Sequence, residues 1–232
     1  MSLYFTNIGE LEMMRAILAM QEWHVGLYKN ILTPDGSLTM LGVTELPTGG
    51  GRTYATKVLT SDFALVATAD KWFLSLNLAG KAEGLYHNTY LDFIFAAADV
   101  ADVNTAYGVF SYCYVVPFDA GLAAGPPVVG TTLTGAGGAT GVVAGVIVTS
   151  GTWAAGTAAG YIFIKSRNAS LFVDNEVLSV GATPMATANT GTLFGGDAHK
   201  QLLWLEELPE AKLIETIGQK IRVIVKWSLS TG

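Results

Sequence analysis

The chain has 232 residues, a formal net charge of −6 and one cysteine. A chain of this length can form one sizeable domain, or a domain with a smaller insert, and its core needs no disulfide or metal. The 13 basic residues are scattered singly, which excludes the clustered Lys/Arg surface that phosphate-backbone binding requires, so no direct nucleic-acid partner is predicted.

Half of the residues are hydrophobic and the mean hydropathy is +0.41, which is high for a soluble protein. Two explanations compete, namely residence in a membrane and burial against other subunits. A transmembrane helix needs about 20 predominantly apolar residues, but Gly or Thr breaks the apolar runs within a few positions. The N-terminus has acids and no basic region, so no secretory signal is expected. Burial in an assembly is therefore predicted, with no membrane partner.

The first predicted element is a helix over residues 7–20. Asn7 is the expected N-cap and Glu10 its capping-box partner. The apolar residues recur at helical spacing and form one stripe: Ile8, Leu11, Met14, Ile17 and Leu18. We expect this helix to cover one end of a β core. The alternative is that the helix and the preceding arm, Leu3–Phe5, dock on a neighbouring subunit.

Strand patterns dominate the rest of the chain. The predicted strands are Trp23–Asn30, Thr53–Leu59, Phe63–Thr68, Lys71–Asn77, Tyr90–Ala97, Tyr107–Pro117, Val142–Thr149, Tyr161–Ile164, Val177–Val180, Met185–Ala188, Gln201–Leu208 and Lys220–Leu229. Pro209 is expected to interrupt the penultimate strand. The last strand alternates apolar and polar residues and has the length to pair with Trp23–Asn30. The predicted fold is all-β: an antiparallel β-sandwich with jelly-roll-like topology and a short N-terminal helix.

One stretch differs from its surroundings: the 45 residues from Ala120 to Ile164 contain no Asp, Glu, Lys or Arg. Gly, Ala, Thr and Val dominate it, and its glycines follow no fixed period, so neither collagen nor disorder is indicated. Short β-branched runs separated by Gly turns predict a small inserted β module over residues 126–191. The main domain is predicted to comprise residues 1–125 and 192–232.

No catalytic, cofactor or metal site is predicted. His24, His87 and His199 have no metal-spaced partners, and His87 and His199 are expected in loops. The glycine-rich run at 135–141, GAGGATG, lacks the GK[ST] ending of a phosphate-binding loop. Cys113 is expected to be a buried core residue. Asn168–Ser170 matches a glycosylation sequon, which has little meaning without a secretory signal.

Five carboxylates are the candidates for glycoside or cation chemistry: Asp92, Asp99, Asp102, Glu206 and Glu207. A glycosidase requires two carboxyl groups about 5–10 Å apart in a cleft. The plainer interpretation is that residues 99–105 form a solvated loop and that Glu206 and Glu207 lie on the two faces of a strand. A cleft that brings Asp92, Asp99 or Asp102 to Glu206 or Glu207 would distinguish the two.

Several motifs together resemble structural proteins of tailed bacteriophages. Inside the predicted insert these are Gly130–Gly141, Ser150–Gly160 and Phe172–Leu178, which resemble a small β module that recurs in such proteins. Outside it, the segments that resemble their opening and closing strands are Trp23–Asn30, Leu202–Glu207, Gly218–Ile221 and Trp227–Ser230. The resemblance covers most of the chain and implies no catalytic residues.

The resemblance implies a non-enzymatic virion component. We expect a head decoration or cement protein on the capsid exterior, with the major capsid protein and further copies of itself as partners. A homo-oligomer is expected, and a trimer at capsid threefold positions is one form of it. The alternatives are a tail-associated or fibre-like protein whose β module recognises a host surface, and a polysaccharide-active virion enzyme.

Overall fold

The computed structural model describes residues 6–33, 38–64, 70–189 and 199–228, without the side chains of 87–89. The described chain is mostly β. Its helices are α1 (Asn7–Ala19) and α2 (Ala97–Ala101), with a 3₁₀ turn at Met40–Gly42. The strands are β1 (Trp23–Tyr28), β2 (Lys57–Leu59), β3 (Phe63–Ala64), β4 (Trp72–Leu76), β5 (Ala82–Ile94), β6 (Thr105–Gly121), β7 (Thr132–Gly135), β8 (Thr140–Ser150), β9 (Ala158–Lys165), β10 (Val177–Val180), β11 (Thr183–Ala188), β12 (Lys200–Leu213) and β13 (Lys220–Ser228).

The chain forms two compact units. Unit 1 comprises Met1–Lys29, Glu45–Val109 and Glu207–Gly232, and unit 2 comprises Asn30–Thr44 and Phe110–Glu206. Strands β6 and β12 each contribute residues to both units. The predicted insert, residues 126–191, falls wholly within the second segment of unit 2.

Unit 1 is a β-sandwich. One sheet has the order β13-β5-β4-β3, and β1 pairs antiparallel with β2. Trp23 of β1 packs in the interior against Trp72 of β4 and Trp227 of β13, with ring centroids 6.1 and 4.9 Å apart. The pair β3–β4 is parallel, whereas the pairs β1–β2, β4–β5 and β13–β5 are antiparallel. The predicted fold class, an all-β sandwich with a short N-terminal helix, is confirmed.

The predicted pairing of the C-terminal strand with Trp23–Asn30 is wrong. β13 instead pairs with β5, with Arg222 opposite Asp92. The tryptophans explain the difference. Trp23 and Trp227 meet through their rings in the interior, so β1 and β13 face each other from opposing sheets and do not share an edge.

The N-cap of helix α1 lies one residue earlier than predicted. The N-cap is Thr6, whose Oγ1 accepts a hydrogen bond from Gly9 N at 3.1 Å, and not Asn7. Glu10 is buried and accepts from Lys81 Nζ and Ala82 N. Glu10 therefore ties the helix to the start of β5 instead of closing a capping box.

The apolar stripe of α1 is only partly buried. Met14 and Leu18 are fully buried, whereas Ile8 is 73% exposed. A Cβ at Gly84 of β5 would lie 3.0 Å from Leu18 Cδ1 and 3.1 Å from Met14 Sδ. The missing side chain of Gly84 thus lets the helix lie directly on the sheet, which confirms that α1 packs on the β core.

Unit 2 contains a closed six-stranded antiparallel barrel. The strand order is β6-β9-β8-β7-β10-β11, and β11 pairs again with β6 through Thr187–Asp119 and Ala188–Phe118. An even number of strands allows every neighbouring pair in the ring to be antiparallel, as observed. Each of the six strands therefore has a hydrogen-bonded neighbour on both sides.

The barrel interior is packed with side chains. The largest are aromatic and aliphatic, and the buried set is Val116, Phe118, Leu133, Ala139, Val143, Ala158, Ile162, Ile164, Phe172, Leu178, Ala186 and Ala188. Trp153, in the β8–β9 connection, stacks on Phe118 with ring centroids 5.0 Å apart. A Cβ at Gly121 would collide with the Trp153 ring. Glycine at 121 therefore allows Trp153 to close one end of the barrel.

Other expectations about the elements have mixed outcomes. Strand β12 continues through Pro209, because the fixed φ of proline is compatible with an extended strand at positions where no N–H is needed. His87 lies within β5 and not in a loop. The arm Leu3–Phe5, residues 65–68 of a predicted strand and residues 190–191 of the predicted insert lie outside the described residues.

Candidate interaction surfaces

Asp99 is a structural residue of unit 1. The predicted solvated loop at 99–105 is wrong at its start, because residues 97–101 form α2 and Asp99 is buried. Its Oδ2 accepts from Ala96 N at 2.8 Å, Thr53 N at 3.0 Å and Thr53 Oγ1 at 3.1 Å, and its Oδ1 accepts from Tyr54 N at 3.4 Å. Asp99 thus caps α2 and holds the segment before β2 against it.

Asp102 is bound to a single arginine. Arg52 Nε donates to Oδ2 at 2.7 Å and Arg52 Nη2 donates to Oδ1 at 2.8 Å, which is the bidentate geometry that guanidinium favours. This pair lowers the pKa of Asp102 below its ordinary value. Burial alone would raise the pKa of Asp99, but the hydrogen bonds from Thr53, Ala96 and Tyr54 outweigh burial and lower it.

The lowered pKa values predict acid sensitivity. A carboxyl group with a lower pKa in the folded state binds fewer protons there than the same group binds in the unfolded chain. In unfolded chains the pKa of aspartate is about 3.9. The stability from Asp99 and Asp102 is thus fully present above that unfolded value and is lost as pH falls through the folded values. We expect Asp99→Asn to lower the free energy of unfolding by about 1–2 kcal/mol at neutral pH. We also expect a shallower fall of that free energy toward acidic pH, the part of the curve that we call the acid limb.

Urea unfolding followed by circular dichroism from neutral to acidic pH measures this effect. The exposed carboxylate of Asp174 provides the control, and Asp174→Asn should change the free energy of unfolding at neutral pH by less than about 0.5 kcal/mol. Equal acid limbs in the wild type and in Asp99→Asn would contradict a structural role for the ionised Asp99.

Among the described residues, the five candidate carboxylates do not line one cleft together. Asp99 and Asp102 line a crevice of about 10 Å³, the volume of roughly one water, which is too small for a sugar ring. Glu207 does not line it. Asp92 lies in another part of unit 1, where it pairs with Arg222. Glu206 belongs to unit 2, and both glutamates are exposed.

The histidines and the cysteine are built into the packing. His199 is buried and its Nε2 accepts from Phe172 N at 2.7 Å. His24 is buried in β1, with Nε2 3.0 Å from Glu22 Oε1. Cys113 is buried as predicted, and burial raises the pKa of its thiol to about 12. Among the described residues, no group of three or more His, Cys, Asp or Glu side chains could hold a metal ion.

The glycine-rich run at 135–141 forms the turn between β7 and β8. Glu176 accepts hydrogen bonds from Gly137 N and Val173 N, both at 2.8 Å. A Cβ at Gly135 would collide with the Glu176 carboxylate. Asn168, the first residue of the sequon, donates to Gly138 O and accepts from Thr140 N. These contacts hold the β7–β8 turn against the β9–β10 connection.

The first candidate surface is the outer face of the four-stranded sheet in unit 1. Alternate residues of β5 and β13 point outward, and we call this set, which is exposed except for the half-buried Asp92, the outer sheet face: Tyr90, Asp92, Ile94, Lys220, Arg222 and Ile224. The Arg222 guanidinium lies 4.8 Å from the Tyr90 ring centroid and its Nε is 3.0 Å from Asp92 Oδ1. Ile94 and Ile224 are 43% and 55% exposed.

Two neighbouring groups hold the arginine of this face in place. The ring below it and the carboxylate beside it fix the guanidinium, which reduces the entropy lost when a partner binds. Tyrosine and arginine are enriched in protein interfaces. The outer sheet face therefore combines preorganised polar groups with exposed aliphatic side chains.

The second candidate surface is one end of the barrel in unit 2. The antiparallel pairings place three connections at the same end: 122–131 between β6 and β7, 151–157 between β8 and β9, and 181–182 between β10 and β11. None of the three contains Asp, Glu, Lys, Arg or His. We call these connections, with Ile147 and Val148 at the end of β8, the charge-free end.

The charge-free end exposes aliphatic side chains. Val128 and Val129 are 68% and 62% exposed, and Leu122, Ile147 and Val148 are each about 40% exposed. The opposite end differs in charge, because its β9–β10 connection contains Arg167, Asp174 and Glu176. The uncharged stretch that stands out in the sequence thus forms a surface at one end of the barrel, as well as part of its core.

Comparison with protein-family models, with curated proteins and with solved structures found no match to the chain. Among the described helices, none is long and apolar enough to cross a membrane.

The sequence reasoning missed both surfaces for identifiable reasons. Alternation in 220–229 indicates a polar face on the last strand, but it does not identify β5 as the partner strand and so cannot place Tyr90 and Asp92 beside Arg222. The absence of charge over 120–164 was evident, but the position of the connections at one end follows only from the closed pairing of the strands.

Proposed function

We propose that this chain is a non-enzymatic structural component of a bacteriophage virion, and specifically a decoration or cement protein that binds the major capsid protein on the outside of the head. The outer sheet face is the observation that carries this proposal, together with the resemblance of the segments described above. Decoration requires a surface that docks on another folded protein, and the preorganised arginine and exposed isoleucines of the outer sheet face support that role.

The composition of the outer sheet face fits a contact with a different protein. Interfaces between separately folded partners are about as apolar as ordinary surface, with tyrosine and arginine enriched. Here the Asp92 carboxylate pairs with Arg222 and lies 3.9 Å from Lys220 Nζ, and one tyrosine and two isoleucines lie on the same face. The surface thus provides hydrogen-bonding groups in fixed positions and apolar area around them.

Binding to capsid shells that lack the decoration protein tests the proposal. The purified wild-type chain should bind saturably and raise the thermal stability of the shells. Tyr90→Ala and Ile224→Lys should each weaken binding by roughly tenfold or more, because they remove or charge the centre of the contact. Ile217→Lys is the matched control, because Ile217 is exposed in unit 1 but lies outside the outer sheet face.

The outcomes separate the proposal from its rivals. No saturable binding and no change in shell stability would overturn the decoration role. Equal loss in Ile224→Lys and Ile217→Lys would overturn the assignment of the outer sheet face. Localisation of the protein to tails, in few copies per particle, would instead favour the tail-associated alternative.

A further inference from the structure

We infer that the charge-free end is a contact between copies of this chain, arranged around a rotation axis. This inference uses a different surface and a different partner from the capsid contact, and it holds for the protein without a capsid. It rests on the distribution of charge and exposed apolar area over the two ends of one barrel.

The first argument concerns symmetry. A rotation axis brings each residue near the axis close to its own equivalents in the other copies. A charged residue there would face like charges, which is unfavourable, and the whole chain already carries −6. Three connections that are separate in the sequence all lack charge at this end. That is the distribution that a contact near a rotation axis requires.

The second argument concerns the choice of partner. A chain with a net charge of −6 distinguishes a foreign partner most readily by charge complementarity. The charge-free end offers no charge for such recognition. A second copy needs none, because the same aliphatic residues meet each other, and contacts between identical subunits are more apolar than contacts between different proteins. Val129 and Ile147 supply that apolar area.

The third argument concerns preorganisation. The stacking of Trp153 on Phe118 anchors the 151–157 connection to the barrel core. Gly130 N donates to Val143 O at 2.8 Å and Leu122 N to Met185 O at 2.7 Å, which anchor both ends of the 122–131 connection. The exposed side chains therefore stand on connections that are fixed to the barrel, so little conformational entropy is lost when copies associate.

Sedimentation velocity of the purified chain over a range of concentrations tests the inference. The wild type should form one discrete oligomer. Val129→Lys and Ile147→Lys should each raise its dissociation constant by roughly tenfold or more. Val173→Lys is the matched control, because Val173 is 57% exposed in the β9–β10 connection at the opposite end, and it should leave the oligomer unchanged.

Circular dichroism and thermal unfolding of each variant establish that the barrel remains folded. A wild type that is monomeric at its highest soluble concentration would overturn the inference, as would equal weakening by Val129→Lys and Val173→Lys. Because no capsid is present, this result is independent of the binding experiment with Ile224→Lys. Either proposal can fail while the other stands.

Discussion

Replacing Trp23 by alanine is expected to remove about 3–5 kcal/mol from the free energy of unfolding. Trp23 is fully buried in β1, and its ring packs edge-on against Trp72 and Trp227. Truncation leaves a cavity between two sheets that cannot close without moving both. Because folded domains are stable by only about 5–15 kcal/mol, this single change uses up a large share of that margin.

Urea unfolding followed by far-ultraviolet circular dichroism measures the loss. Trp23→Phe keeps an aromatic ring at this position, so it should lose less of the free energy of unfolding than Trp23→Ala. Tyr90→Ala is the control for removal of an aromatic ring, because Tyr90 is 49% exposed, and it should cost less than about 1 kcal/mol. Similar losses in Trp23→Ala and Tyr90→Ala would show that the tryptophan cluster does not hold the sandwich together.

Replacing Gly160 by alanine is expected to destabilise the barrel by about 1–3 kcal/mol or more. Gly160 lies in the middle of the ring, where β9 pairs with Val148 on one side and Phe118 on the other. A Cβ at this position would collide with the carbonyl group of Ile147. Backbone atoms cannot rotate away as a side chain can, so the β8–β9 ladder must open.

A second glycine of unit 2 supplies the control. A Cβ at Gly137 would lie 3.6 Å from Glu176 Oε2 and 3.7 Å from Val173 Cγ2, which are ordinary contact distances. Gly137→Ala should therefore be nearly neutral in a thermal unfolding experiment. If Gly160→Ala unfolds at the same temperature as Gly137→Ala, β8 does not approach β9 closely enough to require glycine at position 160.

The sequence predicts an element best where hydrophobic pattern and β-propensity agree. Val177–Val180 has the predicted bounds, and β6 and β8 extend past theirs by only a few residues at each end. β7 was missed, because Thr132–Gly135 contains one strongly apolar residue and its strand character depends on its neighbours in the barrel. α2 is not predicted because the two acids in 99–105 (DVADVNT) indicate a solvated loop, whereas Asp99 is buried and accepts four hydrogen bonds.

Pairing between distant strands was the least predictable feature. Alternation placed Lys220 and Arg222 on one face, but it carries no information about the strand beside them, which is 130 residues away in the case of Asp92. The same limit applies to the ring of the barrel, since β11 returns to β6 across nearly 70 residues. Local patterns fix which side of a strand is buried, and long-range register decides which side chains meet.

The closed ring of the barrel has a further consequence for a protein held at high local concentration. Segments such as Val142–Thr149 are rich in valine and isoleucine, uncharged and free of proline, which is the composition that drives aggregation through exposed strand edges. In the barrel β8 is hydrogen-bonded to β9 over Val142–Ser150, and β9 is itself hydrogen-bonded to β6 on its other side, so the central strand β9 offers no row of unpaired backbone groups to another chain. Crowded copies therefore find no free strand edge along β9, which disfavours growth of this part of the sheet into fibres.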